Sequence, residues 1–399
     1  MISFKNTAIA FRSKSDKELH KSHLIFHLMS RPIFHIIGIQ LVKTAAFLRI
    51  PISGLLKKTL FNLFCGGESI ETCTPQIEKL AQYKIKTILD YSVEGKASEN
   101  DFENTTKQVI ETIISAHENN QTPFAVFKIS GIGRSKLLEK MGERQELNYY
   151  EKLEFERIEH RMNIICKKVH ELNVPIMVDA EESWFQGIID SMVEKMMKTY
   201  NKDETIVYNT LQMYRKDRLD YLKRIYKDSE QNDYFLGFKF VRGAYMEKER
   251  LRALKMGYES PIHNTKSECD QDFNRAIEFA CQKIHKISIC AGTHNEESSR
   301  YLTELMNMYQ IEKNSPKVHF SQLLGMSDHI SYNLAEKGYN VVKYMPFGPP
   351  KEMLPYLVRR AEENKSIAGQ TGRELELIRE EMGRRKAMRR NYKQSQFSI

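Results

Sequence analysis

Tyr356, Arg359, Arg360 and Glu363 stand at i, i+3, i+4 and i+7, the spacing that lines side chains along one face of a helix. Leu354, Leu357, Val358 and Ala361 form the adjoining apolar face. The sequence therefore predicts a helix over 351–364 that packs by one side and presents an aromatic ring, two guanidiniums and a carboxylate by the other. A guanidinium is a planar fork that takes a carboxylate through two parallel hydrogen bonds, which makes this face a candidate carboxylate clamp. On a wet surface the same residues would be an ordinary intrahelical Arg–Glu pair of little consequence. Position favours the clamp, because the helix follows the turn Pro346-Phe-Gly-Pro-Pro350 at the end of a series of apolar runs whose ends carry reactive side chains.

Those runs number eight, at 86–92, 124–129, 175–180, 206–213, 236–241, 287–292, 317–323 and 340–345. Each is short and rich in β-branched residues, and amphipathic stretches such as 102–118, 150–172 and 273–286 separate them. That alternation is the mark of βα units around a parallel sheet, and eight of them favour an α/β fold closed into a (β/α)₈ barrel of the TIM type. A doubly wound sheet would place GxGxxG after its first strand, whereas Gly131-Ile-Gly133 follows the second run and lacks the third glycine.

In a barrel the C-terminal strand ends line the active site. Lys128 ends the second run, Asp179 the third and Gln212 the fourth, while Lys239 and Arg242 flank the end of the fifth. Thr293-His294-Asn295 follows the sixth, Gln322 ends the seventh and Tyr344 ends the eighth. Any one could be a strand residue meeting solvent, but together they converge on one rim, and Lys128, Lys239 and Arg242 there describe a site for an anion. A divalent metal is not expected: Asp179-Ala-Glu-Glu182 offers carboxylates, but His294 is the rim's single histidine ligand. A different chemistry remains open, since Lys128 or Lys239 on a barrel strand could form a Schiff base, as barrel aldolases do.

The chain has 399 residues, 41% hydrophobic and 28% charged, which describes an ordinary folded protein with a sizeable core. Residues 1–80 read as a helical region, with Leu24, Ile25 and Leu28 and then Phe34, Ile37 and Leu41 at helical spacing. No run of about 18 apolar residues is present, and the most apolar stretch, 32–42, is bounded by Arg31 and Lys43, so no membrane-spanning helix is expected. The start resembles neither a secretory signal nor a mitochondrial transit peptide. Six cysteines with no CxxC pair or metal-ligand spacing suit a reducing compartment, and the expected location is cytoplasmic. Much of the +9 net charge lies in 383–393, which reads as a solvated face.

The rim segments form a recognisable set: Phe127-Lys-Ile-Ser130, Met177-Val-Asp-Ala-Glu-Glu182, Lys239-Phe-Val-Arg-Gly-Ala-Tyr245, Gly292-Thr-His-Asn295, Gln322-Leu-Leu-Gly-Met326, and Tyr356-Leu-Val-Arg-Arg360 followed by Glu363-Asn364. In this order and spacing they resemble proline dehydrogenases, and the N-terminal helical part resembles the monofunctional eukaryotic-type branch. The resemblance implies a distorted barrel over 81–375 with FAD bound noncovalently in its mouth, preceded by the helical extension 1–80 and followed by a basic tail, 376–399. It places Arg359, Arg360 and Lys128 on the carboxylate of L-proline, with Tyr344, Leu323 and Tyr356 around the pyrrolidine ring. Lys239 takes the place near flavin N5 where many members have arginine. Gln212, Arg242, the Gly243-Ala244 backbone, Thr265, Lys266, His294 and Asn295 would contact the flavin, its phosphates or its ribityl chain. Asp179 and Glu363 would orient the basic groups, and Glu94 would pair with Arg359 as a gate.

The implied reaction passes a hydride from proline C5 to flavin N5 and yields Δ1-pyrroline-5-carboxylate. The proline amine must be neutral for this, and clustered cations would help it lose its proton. A membrane quinone is the implied electron acceptor, which allows peripheral contact at the inner face of the membrane. Nucleic acid is not an expected partner. The second step of proline breakdown is expected to belong to another protein. Sibling hydroxyproline enzymes tend to carry a smaller residue at the place of Tyr344, so proline is the favoured substrate.

Overall fold

The computed structural model describes residues 2–29, 60–92, 98–357, 360 and 370–396. Its centre is a closed barrel of eight strands in sequential order: Ile85–Tyr91 (β1), Phe124–Phe127 (β2), Ile176–Val178 (β3), Val207–Gln212 (β4), Leu236–Val241 (β5), Ile287–Gly292 (β6), Val318–Leu323 (β7) and Val341–Phe347 (β8). Every neighbouring pair is parallel, and β1 pairs with β8 from Ile85↔Val341 to Tyr91↔Phe347, which closes the ring. All eight runs read from the sequence are strands, and two of them, 236–241 and 287–292, have the expected bounds. The second is shorter than expected. It stops at Phe127, and the backbone turns at Lys128 into the short helix Ile129–Ile132.

The two-residue period of a strand divides each run between an outer face and the barrel lumen. Outward residues such as Ile85, Leu89, Phe238, Phe240, Val318 and Phe320 join the main core under the surrounding helices. Inward residues Ile88, Phe124, Val126, Met177, Tyr208, Cys290, Val342 and Tyr344 form a separate apolar plug. Phe124 meets Tyr208 edge-on at 5.5 Å and His319 at 4.8 Å. Burial pushes His319 down to about 4, so the plug carries a neutral imidazole. Because both faces of a parallel strand are buried, the runs read as continuous apolar stretches rather than as alternations.

The helices start where side chains satisfy their first backbone N–H groups. Ser98 with Asp101, Asn148 with Glu151 and Thr265 with Glu268 each form a capping box. These boxes set helix starts at Glu99, Tyr149 and Lys266, ahead of the positions 102, 150 and 273 that apolar spacing marks. Phe102 is the first buried residue of its helix, and the Ser98 cap lies a turn earlier on an exposed face that apolar periodicity does not record.

The two ends of the chain meet. Ala10, Phe11, Leu19 and Phe26 from the N-terminal helices Thr7–Ala10 and Asp16–Met29 pack on Leu375, Leu377 and Ile378 of helix Gln370–Gln396. Arg385 of that helix pairs with Asp16 at 2.8 Å and donates to the carbonyls of Phe11 and Lys14. The expected boundary at 375/376 therefore falls inside one continuous helix, and part of the basic run is engaged by the N-terminal region. Phe34, Ile37 and Leu41 lie outside the described residues.

Gly325, in the turn after β7, has φ +78, and a Cβ there would stand 2.2 Å from the Leu63 carbonyl oxygen. Both the conformation and the contact exclude a side chain. Gly325→Ala should cost about 1–3 kcal/mol in urea unfolding. An unchanged midpoint would show that the 63–64 segment does not press on this turn.

Candidate active site

The lumen's parity determines which polar residues face one another. Asp90, Lys128, Asp179, Gln212, Lys239, Leu323 and Tyr344 share the inward phase of their strands and all line one cavity of ≈ 1740 Å³ at the C-terminal end of the barrel. That exceeds the roughly 300–1,000 Å³ of a drug-sized site. At its base the Lys239 ammonium is paired with Asp179, and Lys239 is 5% exposed. The Tyr344 hydroxyl donates to the other Asp179 oxygen at 2.9 Å, and the Lys239 nitrogen stands 5.1 Å from the centroid of the Tyr344 ring.

Burial, with Asp179 and Asp90 alongside, pushes the Tyr344 phenol well above its ordinary range, so it stays a donor. Burial also raises the Asp90 carboxyl, assisted by the negative charge of Asp179 and opposed by Lys128. Ser92 Oγ donates to Asp90. The Tyr344 phenol thus interacts with two carboxyl groups, Lys239 being paired with one and the Lys128 charge acting on the other. Glu181 is a further buried carboxyl on the cavity wall, held by the Ser130 N–H at 2.9 Å and by the Ser130 hydroxyl. Burial pushes it up to about 7.

A second wall is built from loop and helix starts after β5 and β6. Arg242 donates Nε to Asp270 at 2.7 Å, Nη1 to Thr293 Oγ1 at 2.7 Å and Nη2 to Ser298 Oγ at 2.9 Å, over the Phe273 ring at 4.6 Å. Gly243 follows at φ +128, where a Cβ would meet the Tyr214 ring at 2.5 Å. Thr265 caps helix Lys266–Gln282 and Asn295 caps helix Glu296–Met308, so two helix N-termini open on the cavity, one beside the exposed Lys266. Such termini favour anionic groups. Burial, and then the Arg360 and Lys343 cations, hold His294 well below its usual range, which makes it a neutral imidazole.

Every expected site residue among the described residues lines this cavity: those above and Ala244, Tyr356 and Arg360. Tyr356 and Arg360 are both buried, with the guanidinium carbon 5.3 Å from the tyrosine ring centroid, and residues 354–357 and 360 are helical, as the spacing predicts. Arg359, Glu363 and Glu94 lie outside the described residues. The anion site expected from three cations is altered, because Asp179 and Asp270 neutralise Lys239 and Arg242 within the wall. Gln322 points the other way, and its amide joins the Thr293 carbonyl at 3.1 Å to Ser331 at 2.9 Å. The sequence reading missed Asp90, Ser92 and Asp270 as site residues, and it weighed Glu181 only within a carboxylate cluster that could hold a metal. Asp90 could have been found by counting inward positions along β1.

The fold and this site define a (β/α)₈ barrel enzyme scaffold with a buried Lys–Asp–Tyr cluster beneath a large C-terminal cavity. A family profile described as "Proline dehydrogenase" matches residues 73–373. The chain belongs to the proline dehydrogenase family, a class of oxidoreductase. It is 32% identical to "Proline dehydrogenase 1, mitochondrial" of Dictyostelium discoideum, over 84% of this chain and 66% of that one. It is also 32% identical to "Carbapenem antibiotics biosynthesis protein CarD" of Pectobacterium carotovorum subsp. carotovorum, over 83% of this chain and 86% of that one. Among solved structures, proline utilization A from Bdellovibrio bacteriovorus, inactivated by N-propargylglycine, superposes with a TM-score of 0.76 at 17% identity. The match covers 95% of this chain and 44% of that one, and it shows a shared fold.

Two stability measurements test the site's electrostatics. Asp179→Ala leaves a buried ammonium unpaired and should cost about 3–5 kcal/mol, with much of it recovered in the Asp179→Ala/Lys239→Met double variant. Equal stability of the single and double variants would contradict the pairing. For Glu181 the folded value of about 7 lies above the ordinary 4.5. The unfolded chain releases this proton first, so the carboxyl costs stability progressively as pH rises from about 4.5 to about 7. Glu181→Gln should therefore gain on the unmodified protein between about pH 5 and pH 8, read as urea midpoints, and parallel pH profiles would rule this out.

Proposed function

We propose that this chain oxidises L-proline to Δ1-pyrroline-5-carboxylate with bound FAD. The observation that carries the reading is the inward cluster of Lys128, Lys239, Asp179 and Tyr344, which lines one cavity with buried Arg360 and Tyr356 in a proline dehydrogenase family member. The cavity also suits a flavin dinucleotide. Gln212 Oε1 is buried on its wall with no hydrogen-bond partner among the described residues, an acceptor that a ligand N–H would satisfy. Gly243 gives a side-chain-free stretch of backbone, and the helix start at Lys266 suits a pyrophosphate. Lys239, Gln212, Arg242, Gly243, Ala244, Thr265, Lys266, His294 and Asn295 would hold the cofactor, which when bound supplies a two-electron acceptor for a hydride.

The chain's own contribution is binding, orientation and exclusion of water. Arg360 and Lys128, with Arg359, would take the proline carboxylate. Tyr344, Leu323 and Tyr356 would flank the ring, and Asp179 would keep Lys239 and the Tyr344 hydroxyl fixed. The Asp90 and Asp179 carboxyls on the cavity wall would be candidates to accept the proton that a substrate ammonium must lose. Lys239 serves as the ion-pair partner of Asp179, so the structure favours this role over a Schiff base.

Quinone remains the proposed electron acceptor. Among the described residues no helix is long and apolar enough to cross a membrane, so contact with a membrane-held acceptor would be peripheral. Six free, buried cysteines suit a reducing compartment, supporting the cytoplasmic placement, although the Dictyostelium and Arabidopsis thaliana relatives are named mitochondrial. The same reaction could serve breakdown or biosynthesis.

The deciding measurement is the visible spectrum of the purified protein before and after L-proline is added without oxygen. Flavin bands that bleach with proline are expected. A protein that is colourless and takes up no FAD would overturn the reading, and bleaching by hydroxyproline alone would change the substrate. Two variants refine it. Arg360→Met should raise the KM for proline by roughly 10–100-fold through loss of charge-assisted hydrogen bonds. Tyr344→Ser should raise the ratio of hydroxyproline to proline kcat/KM, and an unchanged ratio would refute the steric role of Tyr344.

A further inference from the structure

A chain of contacts runs from the C-terminal helix into the cavity wall. Glu374, 3% exposed near the start of helix Gln370–Gln396, accepts a hydrogen bond from the backbone N–H of Ser327. Ser327 sits at φ 51, a left-handed conformation that a residue with a side chain adopts only when its surroundings hold it there. Its Oγ lies 3.0 Å from Nδ1 of His294, which lines the cavity between Thr293 and Asn295. The Ser327 contact at Nδ1 holds the ring where it lines the cavity, since an imidazole's orientation is set by the hydrogen-bond partner of a ring nitrogen.

The same turn of the helix grips the far side of this loop. Arg373 pairs with Glu296 at 2.9 Å, in the first turn of the helix that Asn295 caps. His329 stands between the two carboxylates, 3.2 Å from Glu296 and 3.8 Å from Glu374. A helix serving only to brace the fold would need its apolar face on the N-terminal helices. This one also delivers a buried carboxylate to the residue that touches His294.

We propose that Glu374 is a positioning residue: through the backbone and hydroxyl of Ser327 it fixes the His294 imidazole against the bound cofactor, which makes the C-terminal helix a working part of the cofactor site. This rests on the flavin reading above. Ser327 is the intermediary, so truncating Glu374 and truncating the Ser327 hydroxyl should damage the same interaction.

The test uses the full chain stripped of FAD and titrated with FAD by quenching of flavin fluorescence, with the melting temperature recorded for each variant. Glu374→Leu and Ser327→Ala should each weaken FAD binding about tenfold. The double variant should be no weaker than the worse single one, because the two act in series. Glu374→Gln, whose carbonyl still accepts from Ser327, should stay within about twofold of the unmodified protein. Losses that multiply in the double variant, or a lowered melting temperature with unchanged FAD affinity, would overturn the proposal. Ser327→Ala leaves the Glu374 contact with the backbone intact, so unchanged FAD affinity in that variant alone would also overturn it if Glu374→Leu does not fold. Failure of the unmodified chain to bind FAD would instead remove the flavin reading, and this proposal with it.

Discussion

The buried pair between Lys239 and Asp179 is the constraint around which the barrel's upper end is arranged. An ammonium at 5% exposure is tolerable only with a carboxylate in contact, and that carboxylate needs further donors to satisfy its remaining lone pairs. Tyr344 provides one across the lumen from β8, at 2.9 Å. The pair spans β3 and β5, and Tyr344 adds β8, so three separate strands must hold their register for the cluster to exist. The apolar plug around Phe124 and Tyr208 below it keeps water from reaching the pair from beneath. The Lys239–Asp179 pair and its partners are confined to the end of the lumen where the cavity opens.

That confinement shapes the chemistry available. Carboxylates outnumber what a simple anion site would carry: Asp90, Asp179 and Glu181 all lie on the cavity wall, and burial raises the first and the last. Asp179 and Asp270 compensate Lys239 and Arg242 within the wall, and Lys128 and Arg360 line the same cavity. The zwitterionic substrate proposed for this cavity would place its carboxylate toward the guanidinium and its ammonium toward the carboxyls.

The ends of the chain matter to the site because the barrel rim alone does not fix its loops. Lys343 points outward from β8 into a buried pair with Asp328 at 2.9 Å, and Lys14 from the N-terminal region reaches the same carboxylate at 2.8 Å. Both cations hold Asp328 far below the ordinary carboxylate range despite its burial. Helix Gln370–Gln396 then packs on the N-terminal helices and brings Arg373 and Glu374 to the β6 and β7 loops. The first and last segments of the sequence thus act on the loops that line the cavity.

The sequence by itself determined the eight strands, the barrel they close and most of the residues at its rim. Short buried parallel strands leave an unmistakable apolar run, and a polar residue at the end of such a run has few reasons to be there. The pattern was also enough to place a helical face carrying Tyr356 and Arg360 after β8. What only the tertiary structure decided is which of these groups neutralise each other. Lys239 and Asp179 are 60 positions apart and Tyr344 is 165 from Asp179, so no local spacing could announce their contact. Asp90 escaped notice because it lies within an apolar run, and only the inward phase of β1 shows that it faces Lys128. The role of the C-terminal helix was hidden for the same reason: its composition reads as a basic, solvated stretch, while the buried carboxylate that reaches Ser327 depends on where the chain returns in space. Local periodicity records burial along one element, whereas charge pairing depends on the distance between elements, and the fold alone sets that distance.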